Sequence, residues 1–262
     1  MNVLVLLVSF FACTVGAICG IGGGIIIKPV LDATGVADVS TINFLSGCTV
    51  LAMTLYSVVK SQLAKDSQID MRTDTPLALG AAVGGLAGKE LFSRVASLFA
   101  NPNTAGAVQA TLLLVITLGT LVYTLNKERI STRQVTSAAA CGVIGFVLGA
   151  CSSFLGIGGG PINLVVLFYF FTMATKRAAA SSLYIILFSQ FTSTASTLLT
   201  SDVSAANPIL LVAMIVCGIL GGVVGRKVNS KIDEKTVDKL FMALMVVIIL
   251  INAYNIYQFA LA

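Results

Sequence analysis

The chain has 262 residues, 57% hydrophobic and only 10% charged. A soluble domain carries about 25% charged residues, so the composition excludes one and describes an all-α polytopic membrane protein. The formal net charge of +5 comes from Lys and Arg scattered among short loops, with no interleaved aromatic patch, which excludes a nucleic-acid surface.

Apolar stretches of the length that crosses a bilayer as a helix, about 20 residues, recur at 2–27, 39–59, 75–99, 104–125, 134–174, 178–200, 205–225 and 240–262. The first opens as "MNVLVLLVSFFACTVGA". It lacks a basic leader region and its pattern runs on past Ala17 to Ile27, so it reads as a retained membrane segment and not as a secretory signal. "GIGGG" then interrupts it at Gly20, Gly22, Gly23 and Gly24. The second stretch places Asn43, Ser46 and Thr49 on one helical face. The third carries Gly84, Gly85 and Gly88, a small-residue pattern that serves close helix packing.

The fifth stretch, 134–174, is anomalous: at 1.5 Å per residue it would make a helix of about 60 Å, twice a hydrocarbon core of about 30 Å. "GIGGG" recurs inside it at Gly156, Gly158, Gly159 and Gly160, preceded by Ser152 and Ser153. In the sixth, Ser182, Ser189, Ser193 and Ser196 recur on one face beside Gln190, and the seventh repeats the packing glycines at Gly221, Gly222 and Gly225. The six cysteines lie inside apolar runs with no CxxC pair and read as buried thiols, not disulfides or metal ligands.

The two GIGGG runs are 136 residues apart, and so are Ser46 and Ser182, while "GGLAGK" and "GGVVGR" are 137 apart. Three landmarks in one order indicate a duplication. The halves are residues 1–130 and 131–262, each with a Gly-broken helix pair followed by three spans. If each broken pair is a re-entrant hairpin or two short crossing arms, thirteen of the sixteen Lys and Arg fall on one face and only Lys28, Lys89 and Arg94 oppose them. Basic loops are kept in the cytoplasm, so both termini are expected outside a cell membrane. An odd number of segments per half makes the two repeats inverted.

Broken helices are tolerated in hydrocarbon only where they are buried in protein or line a polar cavity. Arms starting near Gly24 and Gly160 offer unpaired N–H groups and positive dipole ends, which bind anions, and inverted-repeat carriers hold substrate at such junctions. Three consecutive glycines cost a helix about 1 kcal/mol each relative to Ala, more than a packing groove needs. Pro161 fits the first turn of the second arm, where no N–H donor is required. The candidate site residues are thus the eight motif glycines, with Asn43, Ser46, Ser153 and Ser182 within helical reach. Lys28, one turn beyond Gly24, is either a cation for the substrate or a side chain that snorkels to the surface.

"GIGGGIIIKPVL" and "GIGGGPINLVVLFYFF", in a duplicated apolar chain of this length, resemble the sulfite exporter TauE/SafE family of membrane permeases over essentially the whole chain. The resemblance implies transport of sulfite, thiosulfate, an organosulfonate or a related small sulfur-containing anion. The copies differ in their prolines, Pro29 and Pro161, so the two arms need not be equivalent.

There is no His, and the eleven acids fall in or near the expected loops, which favours neutral or backbone donors acting on an anion over a cation carrier. An intramembrane enzyme would need a base to activate Ser or Cys, and only Lys28 is available at depth, so no catalytic residue, cofactor or metal is assigned. A passive anion channel of the same architecture is the alternative, and a membrane-embedded assembly partner without flux is a third reading. The expected partners are the anionic substrate and the lipid bilayer, with a homo-oligomer left open.

Overall fold

The computed structural model describes residues 2–35, 37–64, 68–99, 102–200 and 207–261. Among them the chain forms ten α-helices and no strand: α1 Asn2–Cys19, α2 Gly24–Thr34, α3 Val39–Leu63, α4 Asp74–Ser97, α5 Pro102–Asn126, α6 Ala138–Phe154, α7 Pro161–Phe171, α8 Thr175–Thr200, α9 Pro208–Asn229 and α10 Glu234–Leu261. Their ends follow local chemistry. Gly35 closes α2 in the left-handed conformation at φ 59°, the Asp38 carboxylate accepts from the Thr41 N–H at 3.0 Å to open α3, and the Asn207 side chain does the same for α9. Pro161 stands at the start of α7, as its missing N–H predicts.

Four helices are long and apolar enough to cross a membrane by length and composition: Val39–Leu63, Thr104–Arg129, Pro208–Asn229 and Glu234–Phe259. The expected spans at 75–99 and 178–200 are the helices α4 and α8, which are as long but more polar. The run 134–174 is split, as its length required, into α6 and α7. One boundary differs from the sequence expectation: the second arm of the first pair does not stop near Ile27 but continues to Thr34, because Lys28 and Asp32 pair with each other inside it.

The ends of the second broken pair lie together. The Arg133 N–H donates to Tyr169 O at 2.7 Å, the Val135 N–H to Phe170 O at 2.9 Å, and the Thr172 hydroxyl to Arg133 O at 3.0 Å. The chain that enters α6 is therefore fastened to the chain that leaves α7, and the pair is a hairpin.

Packing is densest along glycine seams. Gly80, Gly84 and Gly88 of α4 lie against the backbone of Gly142, Phe146 and Ala150 of α6, while Gly145 and Gly149 of α6 lie against Leu77 and Ala81 of α4. Gly221 and Gly225 of α9 meet Phe10 and Thr14 of α1 in the same way. Without a β-carbon the backbones approach closely, the main source of dispersion energy where the solvent is as apolar as the side chains. The pairs correspond under exchange of α1–α5 with α6–α10: α1 with α9 and α6 with α4, α3 with α9 and α8 with α4, α2 with α10 and α7 with α5, while α3–α8 and α5–α10 map onto themselves. Val83, Val115, Val122, Val212 and Leu250 face outward, whereas Ser46, Thr49, Ser189 and Gln190 are buried, so the apolar surface is outside and the polar groups inside.

Candidate functional site

Both helix breaks are built by left-handed glycines. After α1, Gly20 and Gly22 have φ 76° and 72°; after α6, Gly156 and Gly158 have φ 66° and 71°. A side chain is strained in this conformation, so the two glycines of GIG, two residues apart, are what let each helix stop within one turn.

At each carbonyl end created by the breaks, one carbonyl is capped from far along the chain. Asn229 Nδ2 donates to Ile18 O and Gln109 Nε2 donates to Phe154 O, each at 2.6 Å. Positions 18 and 154 are equivalent under the 136-residue spacing, so each half-helix has one of its last carbonyls covered by an amide from the opposite half. The amino ends are not covered. Neither Gly23 nor Gly160, the N-caps of α2 and α7, receives a side-chain cap, and among the described residues nothing accepts from the N–H groups of Gly22, Gly23, Gly24 and Ile25, or of Gly158, Gly159, Gly160 and Ile162. Two clusters of unspent donors at positive helix ends result.

The two loops meet. A methyl placed on Gly24 would overlap the carbonyl oxygen of Ile157 and stand 2.7 Å from its carbon. Val50 of α3 and Ile186 of α8, again 136 residues apart, close on Gly22, 3.3 and 3.6 Å from where its β-carbon would be. Asn43 lies directly against Gly156 and Gln190 against Gly158. Ser153 Oγ is 3.5 Å from Ser189 Oγ, and Asn163 Nδ2 donates to Ser182 Oγ at 3.4 Å. The Ser46 hydroxyl and the Asn43 and Asn163 amide oxygens are buried without a protein partner.

The structure thus brings the glycines of both motifs together with Asn43 and Ser153, and buries Ser46 and Ser182 on the two helices that cover them. It also adds Gln190 and Asn163. Gln190 had been visible only as a neighbour of the serine row, and both could have been found by asking which amides stand inside otherwise apolar helices. Ser46 and Ser182 are not equivalent: one has a partner and the other does not.

Lys28 does not snorkel. It forms an ion pair with Asp32 at 2.5 Å, the two side chains 3% and 4% exposed. Asp32 therefore corrects the expectation that the acids lie in or near loops, since a lysine four residues earlier lets it enter a buried helix. The second half has Leu164 and Phe168 at the matching positions. Removing one partner of a buried pair leaves an uncompensated charge, at a cost of about 3–5 kcal/mol, whereas an apolar pair of similar volume is close to neutral. Asp32→Asn is expected to lower thermal stability in detergent sharply, and Lys28→Leu with Asp32→Phe to recover most of it. A single variant as stable as the parent would show that the pair does not hold α2.

These features define a polytopic α-helical membrane protein with two broken helices meeting at its centre. A family model described as Sulfite exporter TauE/SafE matches residues 5–251, and the chain belongs to this family of membrane transporters. It is similar to "Probable membrane transporter protein YunE" of Bacillus subtilis (strain 168), with 27% identity over 232 residues covering 80% of this chain and 83% of that one. No solved structure matches the chain.

Proposed function

We propose that the chain is a permease for a small sulfur-containing anion, such as sulfite, thiosulfate or an organosulfonate, bound where the two Gly loops meet. The observation that carries this reading is the pair of uncovered N–H clusters on two loops that touch where Gly24 meets Ile157. The single Lys of the arms is neutralised by Asp32, so the donors there are neutral groups. Such groups bind an anion without a permanent counter-charge that would hold it too tightly to release. The family description supports the sulfur chemistry.

Purified protein in liposomes is expected to take up a sulfur oxyanion in preference to Na⁺ or K⁺, tested across sulfite, thiosulfate, sulfate and organosulfonates. Dominant cation flux would sink the proposal. Counterflow separates a carrier from a channel, because only a carrier accelerates entry of labelled substrate when unlabelled substrate is on the far side.

The halves 1–130 and 131–262 are read as inverted repeats, each hairpin re-entering the membrane. The exchange of packing partners between α1–α5 and α6–α10, and the fastened ends of the second hairpin, support this. In this arrangement both termini lie outside the cell membrane and the loops at 60–73, 126–133 and 226–239 lie in the cytoplasm. A reporter active only in the cytoplasm, fused after Ala262, should be silent; activity there would remove the inverted topology.

A further inference from the structure

We propose that Lys28 and Asp32 form a proton-linked switch: an anion at the loop junction takes over the Lys28 ammonium, and Asp32, left without its partner, takes up a proton from the outer face. The chain is then a carrier that moves a proton together with its sulfur-containing anion, an inference that rests on the transport reading above.

The pair is placed for an exchange of partners. Gly24 and Lys28 are four residues apart in α2 and so share a face, and that face meets the second loop, because the β-position of Gly24 falls on the Ile157 carbonyl. The Cα–Cβ bonds of a helix tilt toward its amino end, which gives the Lys28 side chain a course toward the uncovered N–H groups at Gly24. It turns the other way, to Asp32. A base that precedes its acid by four residues is the weaker of the two orders on a helix. Asp32 Oδ2 is the one acceptor Lys28 has among the described residues, so two of its three N–H groups are unspent. Gly20, Gly22, Gly23 and Gly24 are all buried whereas Gly156 is partly exposed, so the anion reaches this face along the second loop.

Charge balance sets the next step. The pair is neutral as a whole, and an anion on Lys28 would leave the Asp32 carboxylate as a buried charge with no compensation. A proton from water restores neutrality by forming one O–H bond. Asp32 Oδ1 is buried with no protein partner and can seat it. Water is near, since Asp32 lies two residues before Thr34, which with Gly35 is exposed where α2 ends. No other ionisable group is placed to take this role. Of the helices packed on α2, α1 carries only the thiols of Cys13 and Cys19. On α3, Asp38 is exposed and spent on Thr41, and Cys48, Tyr56 and Lys60 follow further along. On α10, Tyr254 and Tyr257 are half exposed or more, and the charged run that ends at Lys239 lies sixteen residues before Asn255, whose amide donates to Pro29 O. The second half has Leu164 and Phe168 in place of the pair, so the cycle carries one such proton.

The test is isothermal titration calorimetry of the purified full chain with thiosulfate and with methanesulfonate, whose own charges, unlike that of sulfite, stay fixed across the neutral range. Heats compared between buffers of different ionisation enthalpy count the protons taken up. About one proton per anion is expected, and by linkage the Kd should fall by up to about tenfold for each unit that the pH is lowered. Lys28→Leu with Asp32→Phe should bind more weakly, with no proton and no dependence on pH. Asp32→Asn leaves Lys28 charged, so whichever of the two anions the parent binds should raise the melting temperature of this variant more than that of the parent, and more than chloride of equal ionic strength does. Binding without proton uptake, proton uptake retained by the double variant, or equal stabilisation of Asp32→Asn and the parent would each overturn the switch and leave an anion site at the Gly loops. A folded parent that binds neither anion would overturn the transport reading and the switch with it.

Discussion

Gly160→Val is expected to abolish uptake while the protein still inserts and purifies as a monodisperse species. Gly160 has φ −175° and ψ −179°, extended backbone that any residue adopts and that suits a β-branched side chain. A β-carbon there meets only the ends of flexible side chains, Ile157 Cδ1 at 3.0 Å and Ile25 Cδ1 at 3.9 Å. The fold can therefore accept the substitution. The added methyls stand among the N–H groups of Gly158, Gly159 and Ile162 and hold an anion away from them. Hydrogen bonds to a charged group contribute about 1.5–3 kcal/mol each, so losing two corresponds to binding weakened by about a hundredfold or more. Gly23→Val, at the N-cap of α2, would be a poorer test: its β-carbon would stand 2.7 Å from Cys13 Sγ and 3.1 Å from the Cys13 backbone, so lost uptake could reflect lost α1–α2 packing. Normal uptake by a well-folded Gly160→Val protein would mean that the substrate binds away from the loops.

How much of this was legible in the sequence depends on the range of the interaction. The breaks were, because glycine acts on its own backbone and its doubling at a fixed spacing is visible without any partner. The excess length of 134–174 gave the second hairpin for a similar reason. The reach of α2 was hidden, since it depends on Lys28 and Asp32 cancelling each other, and a charge count treats both as surface residues. Long-range caps were hidden as well: Asn229 serves Ile18 across 211 positions, and no local pattern marks an amide that will cap a helix from the other half. The glycine seams were half legible. Gly84 and Gly88 announce a close contact, but only the structure shows that it is Phe146 and Ala150 they admit, and that Gly145 and Gly149 return the contact against Leu77 and Ala81.

That reciprocal seam yields the second large effect, on stability. Gly145→Ala should destabilise the protein by about 3 kcal/mol, the upper range for overpacking, because the obstacle is backbone and cannot rotate away. The new β-carbon would overlap the carbonyl oxygen of Leu77 and stand 2.7 Å from the carbonyl carbon. Gly84→Ala meets Phe146 in the same manner, its β-carbon 2.8 Å from the carbonyl carbon and 2.9 Å from the Ala150 nitrogen, and should cost as much. Gly142, one turn earlier on α6, is the control. Its β-position has nothing nearer than Pro76 O at 4.0 Å, so alanine there should be neutral or stabilise the helix by up to about 1 kcal/mol. Gly222→Ala is intermediate, because the nearest atom, Met53 Cγ at 3.0 Å, belongs to a flexible side chain. Thermal unfolding in detergent ranks the four variants. The expected order puts Gly145→Ala and Gly84→Ala lowest, Gly222→Ala next and Gly142→Ala at or above the parent. Equal losses at Gly142 and Gly145 would show that helix propensity and not backbone approach sets the effect, and that α4 and α6 do not pack through their glycines.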